Sequence, residues 1–141
     1  MKTITLNSPK DFNSLEQNSI VDSFNPELLR KAVERKKVLI NPLYAKAFYR
    51  DDGLVRSIAE SESSFALPVE ALLHSRGSGR AKLFRELRFF TRLCRKLGAK
   101  FFFTNLSPKS KFDLKSEREI QAIATLLGLT PQQAKSGKVK F

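Results

Sequence analysis

The sequence predicts an α/β fold built on a parallel sheet, and three observations carry that reading. Short apolar runs alternate with helical segments about five times along the 141 residues, an order that calls for right-handed crossovers with helices packed outside the sheet. Val38-Leu39-Ile40 and Phe101-Phe102-Phe103 are apolar without alternation, as strands buried on both faces are. Ser8-Pro9 and Asn25-Pro26 each place a capping side chain before a proline at the first helical position.

Thr3 to Leu6 alternates polar and apolar residues like a strand, Ser8 to Gln17 opens like a helix, and Ile20 to Phe24 is the second strand. From Pro26 a helix with Leu28, Leu29, Ala32 and Val33 on one face ends in Arg35-Lys36-Lys37, cations suited to the negative end of its dipole. Val38 to Ile40 is the third strand. Asn41 to Asp52 reads as a loop punctuated by Pro42 and the Asp51-Asp52-Gly53 turn, after which Leu54, Ile58 and Ala59 begin another helix. Phe65-Ala66-Leu67 is the fourth strand and Pro68 leads to a helical turn through Leu72 and Leu73. His74 to Gly79 has the composition of a flexible loop. Arg80 to Leu97 is the clearest helix, because Leu83, Leu87, Phe90, Cys94 and Leu97 recur at spacings of three and four, and Gly98 is its C-cap. Phe101 to Phe103 is the fifth strand and Asn105 to Lys115 a polar loop. Ser116-Glu117-Arg118-Glu119 is a capping box for the helix of Ile120, Ile123, Ala124, Leu126 and Leu127, closed by Gly128. Thr130-Pro131 caps a last short helix before a frayed tail, residues 136–141.

The elements make one (β/α) domain over residues 1–141, either an open parallel layer or part of a barrel. Five units cannot close an ordinary eight-stranded barrel, so the sheet stays open or its edges are covered by something else, such as a partner. The lone Cys94 allows no internal disulfide and no thiolate cluster, which suits a reducing compartment, the cytoplasm. No run approaches the roughly 20 apolar residues that span a bilayer, and Met1 to Leu6 lacks the apolar core of a signal peptide.

A net charge of +12 is unevenly placed: residues 1–75 hold ten Lys/Arg and ten Asp/Glu, residues 76–141 sixteen and four. Such a field attracts polyanions by displacing condensed counterions, so nucleic acid is the first partner to consider and an anionic membrane surface the second. On an ideal helix Lys82, Arg85, Arg88, Arg92, Arg95 and Lys96 fall within an arc of about 140°, opposite the apolar stripe. A solvated face ordinarily mixes signs, and only Glu86 interrupts this one, which favours polyanion contact. Arginine outnumbers lysine there, which suits forked contact with phosphate oxygens. Lys109, Lys111, Lys115 and Arg118 form a second basic set after the fifth strand. Arg50, Arg76 and Arg80 occupy the equivalent loops after earlier strands, so these residues together are candidates for a basic RNA-binding rim. Unrelated surface charge is the plainer alternative. Of the twelve Phe residues, Phe101 to Phe103, Phe65 and Phe90 are core positions, leaving Phe48, Tyr49 and Phe112 as loop candidates for stacking on bases.

Catalytic groups are not apparent. His74 is the only histidine and has no second imidazole or cysteine pair to complete a metal site. A turn at a helix start accounts for Asp51 and Asp52, and no base sits at a recognisable spacing from Ser107, Ser110 or Cys94. The reading is of a chain without catalytic residues or bound metal.

From about Arg50 onward the chain resembles archaeal ribonuclease P protein component 3, the homologue of the thirty-kilodalton subunit of the eukaryotic enzyme. Arg50-Asp51-Asp52-Gly53-Leu54 with Ile58-Ala59 and then Phe65 to Leu73 resemble consecutive family segments. Arg80-Ala81 with Leu93-Cys94-Arg95-Lys96 resembles its long helix, and Leu114-Lys115-Ser116 with Leu127 to Thr130 and Ala134-Lys135 its C-terminal helix pair. The family's Ser-Ser-x-Ala stretch reads Thr104-Asn105-Leu106-Ser107 here, and its Arg-x-Pro reads Lys115-Ser116-Glu117. The resemblance implies an incomplete TIM-barrel-like fold of the metal-dependent phosphoesterase type, lacking that type's metal ligands. It implies an RNA-binding subunit of ribonuclease P, an endoribonuclease that removes 5′ leaders from precursor tRNA. The RNA and its Mg²⁺ ions perform the hydrolysis there, while the subunit pairs with a small ferredoxin-like protein subunit, as a heterotetramer, and touches precursor tRNA only indirectly. A basic structural ribonucleoprotein component and a relic metal-dependent phosphoesterase are the alternatives.

Overall fold

The computed structural model describes residues 3–104 together with the helical positions Ala122, Ile123 and Thr125. Five strands, β1 (Thr3–Thr5), β2 (Ile20–Asp22), β3 (Leu39–Ile40), β4 (Ser64–Pro68) and β5 (Phe101–Thr104), form one sheet in the order β1-β2-β3-β4-β5. Each neighbouring pair is parallel. The helices are α1 (Pro26–Arg35), α2 (Asp52–Ala59), α3 (Glu70–His74) and α4 (Gly77–Leu97), with 3-10 turns at Pro9–Ser14 and Phe48–Arg50.

Sequential order in a parallel sheet is informative. A doubly wound sheet reverses direction and places helices on both faces. Among the described residues no reversal occurs, so crossovers of one hand carry their helices to one side, as in the wall of a (β/α) barrel. α1 lies beside α2 and α2 beside α4. The sheet is accordingly compatible with the predicted barrel-like fold, and β1 and β5 are its outer strands among the described residues.

Strand alternation separates two apolar layers. Ile4, Val21, Ile40, Phe65, Leu67, Phe101 and Phe103 join the helices in the main core, against which Ile123 also packs. Ile20, Leu39, Ala66 and Phe102 form a second buried cluster on the other face. Leu39 and Ile40, adjacent in β3, thus enter different layers and both are buried, which is the two-sided burial expected of an unalternating strand.

Local signals account for most boundaries. Asn25 caps α1, its Oδ1 accepting from the Glu27 N–H at 3.0 Å. Gly98 ends α4 at φ 82, a left-handed conformation that glycine adopts without a Cβ clash. β2 stops at Asp22 because Ser23 turns the chain, its Oγ donating to the Leu6 carbonyl at 2.6 Å and accepting from Asn25 N at 3.1 Å. Phe24, expected within that strand, is therefore on the surface.

Two expectations need correction. Ser8 to Gln17 is not an α-helix but a 3-10 turn over Pro9–Ser14 followed by extended Leu15. It buries only Phe12 and Leu15, too little apolar surface to repay helix nucleation. The Gly/Ser stretch is not a loop throughout, because α4 begins at Gly77. Gly77 has φ 55, and the Arg76 carbonyl accepts from the N–H groups of Gly79 and Arg80 at 3.1 and 3.3 Å. Arg80 Nε also donates to the carbonyls of Leu72 and Ser75 at 3.1 and 2.9 Å. These bonds offset the roughly 1 kcal/mol that each glycine costs inside a helix.

Phe90 holds α4 to the sheet. It is fully buried, with its ring 4.8 Å from that of Phe65 on β4 and 5.4 Å from that of Phe48, both edge to face. Phe90→Ala is expected to lower unfolding free energy by about 3–5 kcal/mol, and Phe90→Leu by less, as urea unfolding would register.

Candidate nucleic-acid interface

The buried side of α4 carries Leu87, Phe90, Thr91 and Cys94. Its other side presents Lys82, Arg85, Arg88, Arg92, Arg95 and Lys96, all exposed, so the helix is divided as its periodicity predicts. Lys82 lies 3.9 Å from Glu86. Arg85, Arg88, Arg92 and Lys96 make no ion pair among the described residues. Arg85/Arg88, Arg88/Arg92, Arg92/Arg95 and Arg92/Lys96 are like-charged neighbours three or four positions apart. Each such pair destabilises a helix by about 0.2–0.5 kcal/mol at low salt. Only Arg95 and Lys96, in the last turn, recover part of this through the helix dipole. A polyanion laid on this face would relieve that repulsion.

Of the predicted rim residues outside α4, Arg50 is exposed and lies in a turn beside that helix. The turn Phe48–Arg50 packs on α4, the Arg50 guanidinium lies 5.7 Å from the centroid of the Tyr49 ring, and that ring meets Phe89 of α4 edge to face at 6.2 Å. Arg76 sits at the N-cap of α4 and Arg80 in its first turn. Both lie at the carboxyl end of the sheet, since α4 runs back from β4 toward the start of β5. Arg80 uses its Nε to close that turn, a structural duty that the sequence did not reveal. Lys109, Lys111, Lys115 and Arg118 lie outside the described residues, as does Phe112.

Aromatic positions differ from expectation. Phe48 is buried in the core and cannot stack on a base, while Tyr49 is half-buried. Three surface aromatics were missed. Phe24 and Tyr44, 72% and 57% exposed, follow β2 and β3 with rings 6.0 Å apart. Phe89 is 54% exposed within the cationic face. Its angular position among Lys82, Arg85 and Arg92 was the available signal.

Comparison with known proteins adds a family to this geometry. No family model matches the chain, but curated proteins do. Over 117 residues, 82% of the chain, it is 33% identical to "Ribonuclease P protein component 3" of Methanosarcina barkeri, of which the match covers 48%. The protein of the same name from Methanococcoides burtonii is 32% identical over 107 residues, 74% of this chain and 44% of that one. That from Methanosarcina acetivorans is 30% identical over 117 residues, 82% and 48% of the two. The chain belongs to the ribonuclease P protein component 3 family. It spans about half the length of the curated relatives it matches.

Several segments that resemble component 3 have a structural job here. In Arg50-Asp51-Asp52-Gly53-Leu54, Asp51 caps α2 by accepting from the Leu54 N–H at 3.1 Å, and Arg30 of α1 donates to the same carboxylate at 3.1 and 3.3 Å. The capping fits the turn at a helix start that the sequence suggested, with Asp52 in the first helical turn, and the Arg30 contact in addition ties α1 to α2. His74 is exposed, and no three metal-donor side chains gather among the described residues. No helix among them is long and apolar enough to cross a membrane.

Cys94, in the segment that resembles the family's long helix, is fully buried, and burial pushes its thiol pKa well up. Above about pH 8.5 an unfolded chain releases this proton while the native chain keeps it. The unfolded state then binds fewer protons, so stability falls as pH rises. Relative to Cys94→Ala, the wild-type protein should lose about 1.4 kcal/mol per pH unit above that point, measured by denaturant titration across alkaline pH.

Proposed function

We propose that this chain is a noncatalytic protein subunit of ribonuclease P and that α4 lies against RNA. The supporting observation is the row of Arg85, Arg88, Arg92 and Lys96, exposed and without ion pairs among the described residues, in a chain whose relatives bear that enzyme's name. Arginines so placed bind phosphate through paired N–H groups and release counterions as they do so. Arg50, Arg76, Arg80 and Lys82 extend the contact toward the carboxyl end of the sheet, and Arg95 toward the other. Lys109, Lys111, Lys115 and Arg118 belong to the same proposal on charge alone.

In this reading residues 1–141 act as one domain. The sequential sheet is part of a barrel of the phosphoesterase type, and a small ferredoxin-like subunit is its protein partner, in a heterotetramer. The particle's RNA and its Mg²⁺ cleave precursor tRNA. Asp51, already engaged by Arg30 and the α2 N-terminus, has no part in that chemistry. The buried thiol of Cys94 suits a reducing cytoplasm.

Three measurements test the proposal. Reconstitution with the cognate ribonuclease P RNA and partner subunit should lower the Mg²⁺ needed to cleave precursor tRNA; an unchanged requirement overturns the subunit role. Replacing Arg88, Arg92 and Arg95 together by Gln should weaken RNA binding and reduce the slope of log affinity against log salt by about one per lost phosphate contact. Recovery of ribosomal RNA in place of ribonuclease P RNA with the tagged protein would instead make the chain a structural component of another particle.

A further inference from the structure

The cationic face of α4 carries one residue that charge does not explain. Lys82, Arg85, Phe89, Arg92 and Lys96 follow at steps of three, four, three and four and so form a single line about 21 Å long. Its middle member is a phenylalanine with 54% of its surface open. A solvated row has no use for an apolar ring at that position.

Phe89 is also firmly placed. It meets Tyr49 edge to face at 6.2 Å, Tyr49 meets Phe48 at 5.7 Å, and Phe48 meets the fully buried Phe90 at 5.4 Å. Beside it an open cleft of about 330 Å³ is lined by Tyr49, Lys82, Arg85, Glu86 and Phe89. Its volume is at the lower limit of small-molecule sites, roughly 300–1,000 Å³. The walls are ring surface and the rim is cationic, apart from Glu86. That carboxylate repels a phosphate from the cleft itself and can accept a hydrogen bond from an exocyclic amino group.

Resting on the proposed RNA contact of α4, we infer that this cleft holds an unpaired base of a single-stranded RNA segment. The base stacks on Phe89, the phosphates on either side fall to Arg85 and Arg92, and Arg50 is drawn in beside Tyr49. Stacking on an exposed ring requires an unstacked base, which duplex RNA does not offer. The carboxylate of Glu86 favours adenine, cytosine or guanine, each of which presents an exocyclic amino group, over uracil, whose one base donor is its N3–H.

The full chain, in wild-type and Phe89→Leu forms, would be titrated with a short single-stranded adenine oligonucleotide, its uracil counterpart and a duplex of equal length. Phe89→Leu should weaken adenine-strand binding about tenfold, leave duplex binding unchanged and leave the salt slope as it was. Wild-type protein should prefer the adenine strand to the uracil strand. The chain contains no tryptophan, so Phe89→Trp supplies a single indole, excited apart from the two tyrosines, that should keep the affinity and be quenched by the adenine strand. Equal losses on strand and duplex, or no loss on either, overturn the inference. Tryptophan emission that ignores the oligonucleotide but shifts on adding the partner protein does so too, because Phe89 would then be a protein contact. Substitution of Arg88, Arg92 and Arg95 separates the two levels. If it weakens RNA binding and Phe89→Leu does not, only the base cleft fails; if it changes nothing, the parent reading fails.

Discussion

The placement of Phe90 between Phe65 and Phe48 is the constraint on which the surface of this protein depends. Phe65 belongs to the sheet, Phe90 to α4 and Phe48 to the turn after β3, so three rings fix three elements together. Edge-to-face packing prefers particular orientations as well as distances. Because α4 is held at Phe90, its polar side cannot rotate inward. Tyr49 and then Phe89 continue the same series of rings outward. Positions on the solvent side of α4 are therefore set by packing deep in the core.

The sheet supplies the second condition. Strands paired in chain order leave no switch point at which a ligand crevice could open between divergent loops. Helices gather on one side instead, with α2 between α1 and α4. The Arg30–Asp51 contact at 3.1 Å joins the first two of these, with Asp51 only 15% exposed. Each side-by-side helix buries one stripe and shows another, so surface character is decided helix by helix.

Much of this was legible in the sequence because the signals were local. Asn25-Pro26, Gly98 and the unalternating runs each state a physical requirement that the chain itself can satisfy. The Gly/Ser stretch misled because its helix is secured by Arg80 reaching back to Leu72 and Ser75, a connection composition cannot express. Ser8-Pro9 misled in the opposite sense: the start signal was real, but too little apolar surface lay behind it. Phe48, expected as an exposed stacking residue, is buried, and Phe89, for which no role was expected, is exposed, both for a tertiary reason. A loop residue filled a gap against Phe90, while a helical one fell on the side away from the core. The charges of the α4 face were readable, since their angular placement follows from helical geometry alone.

The unequal charging of the helical layer has a consequence for motion in solution. α4 holds seven cations and one acid, against three and two on α1 and one and one on α2. Such a molecule carries a lasting electric dipole as well as a net charge. In the field of a polyanion it experiences a torque before it experiences contact, and turns α4 forward while still separated by several water layers. Orientation is then selected during approach, and collisions by the neutral side become rarer. The gain is felt within about one Debye length, roughly 8 Å at physiological salt, and fades as salt is added.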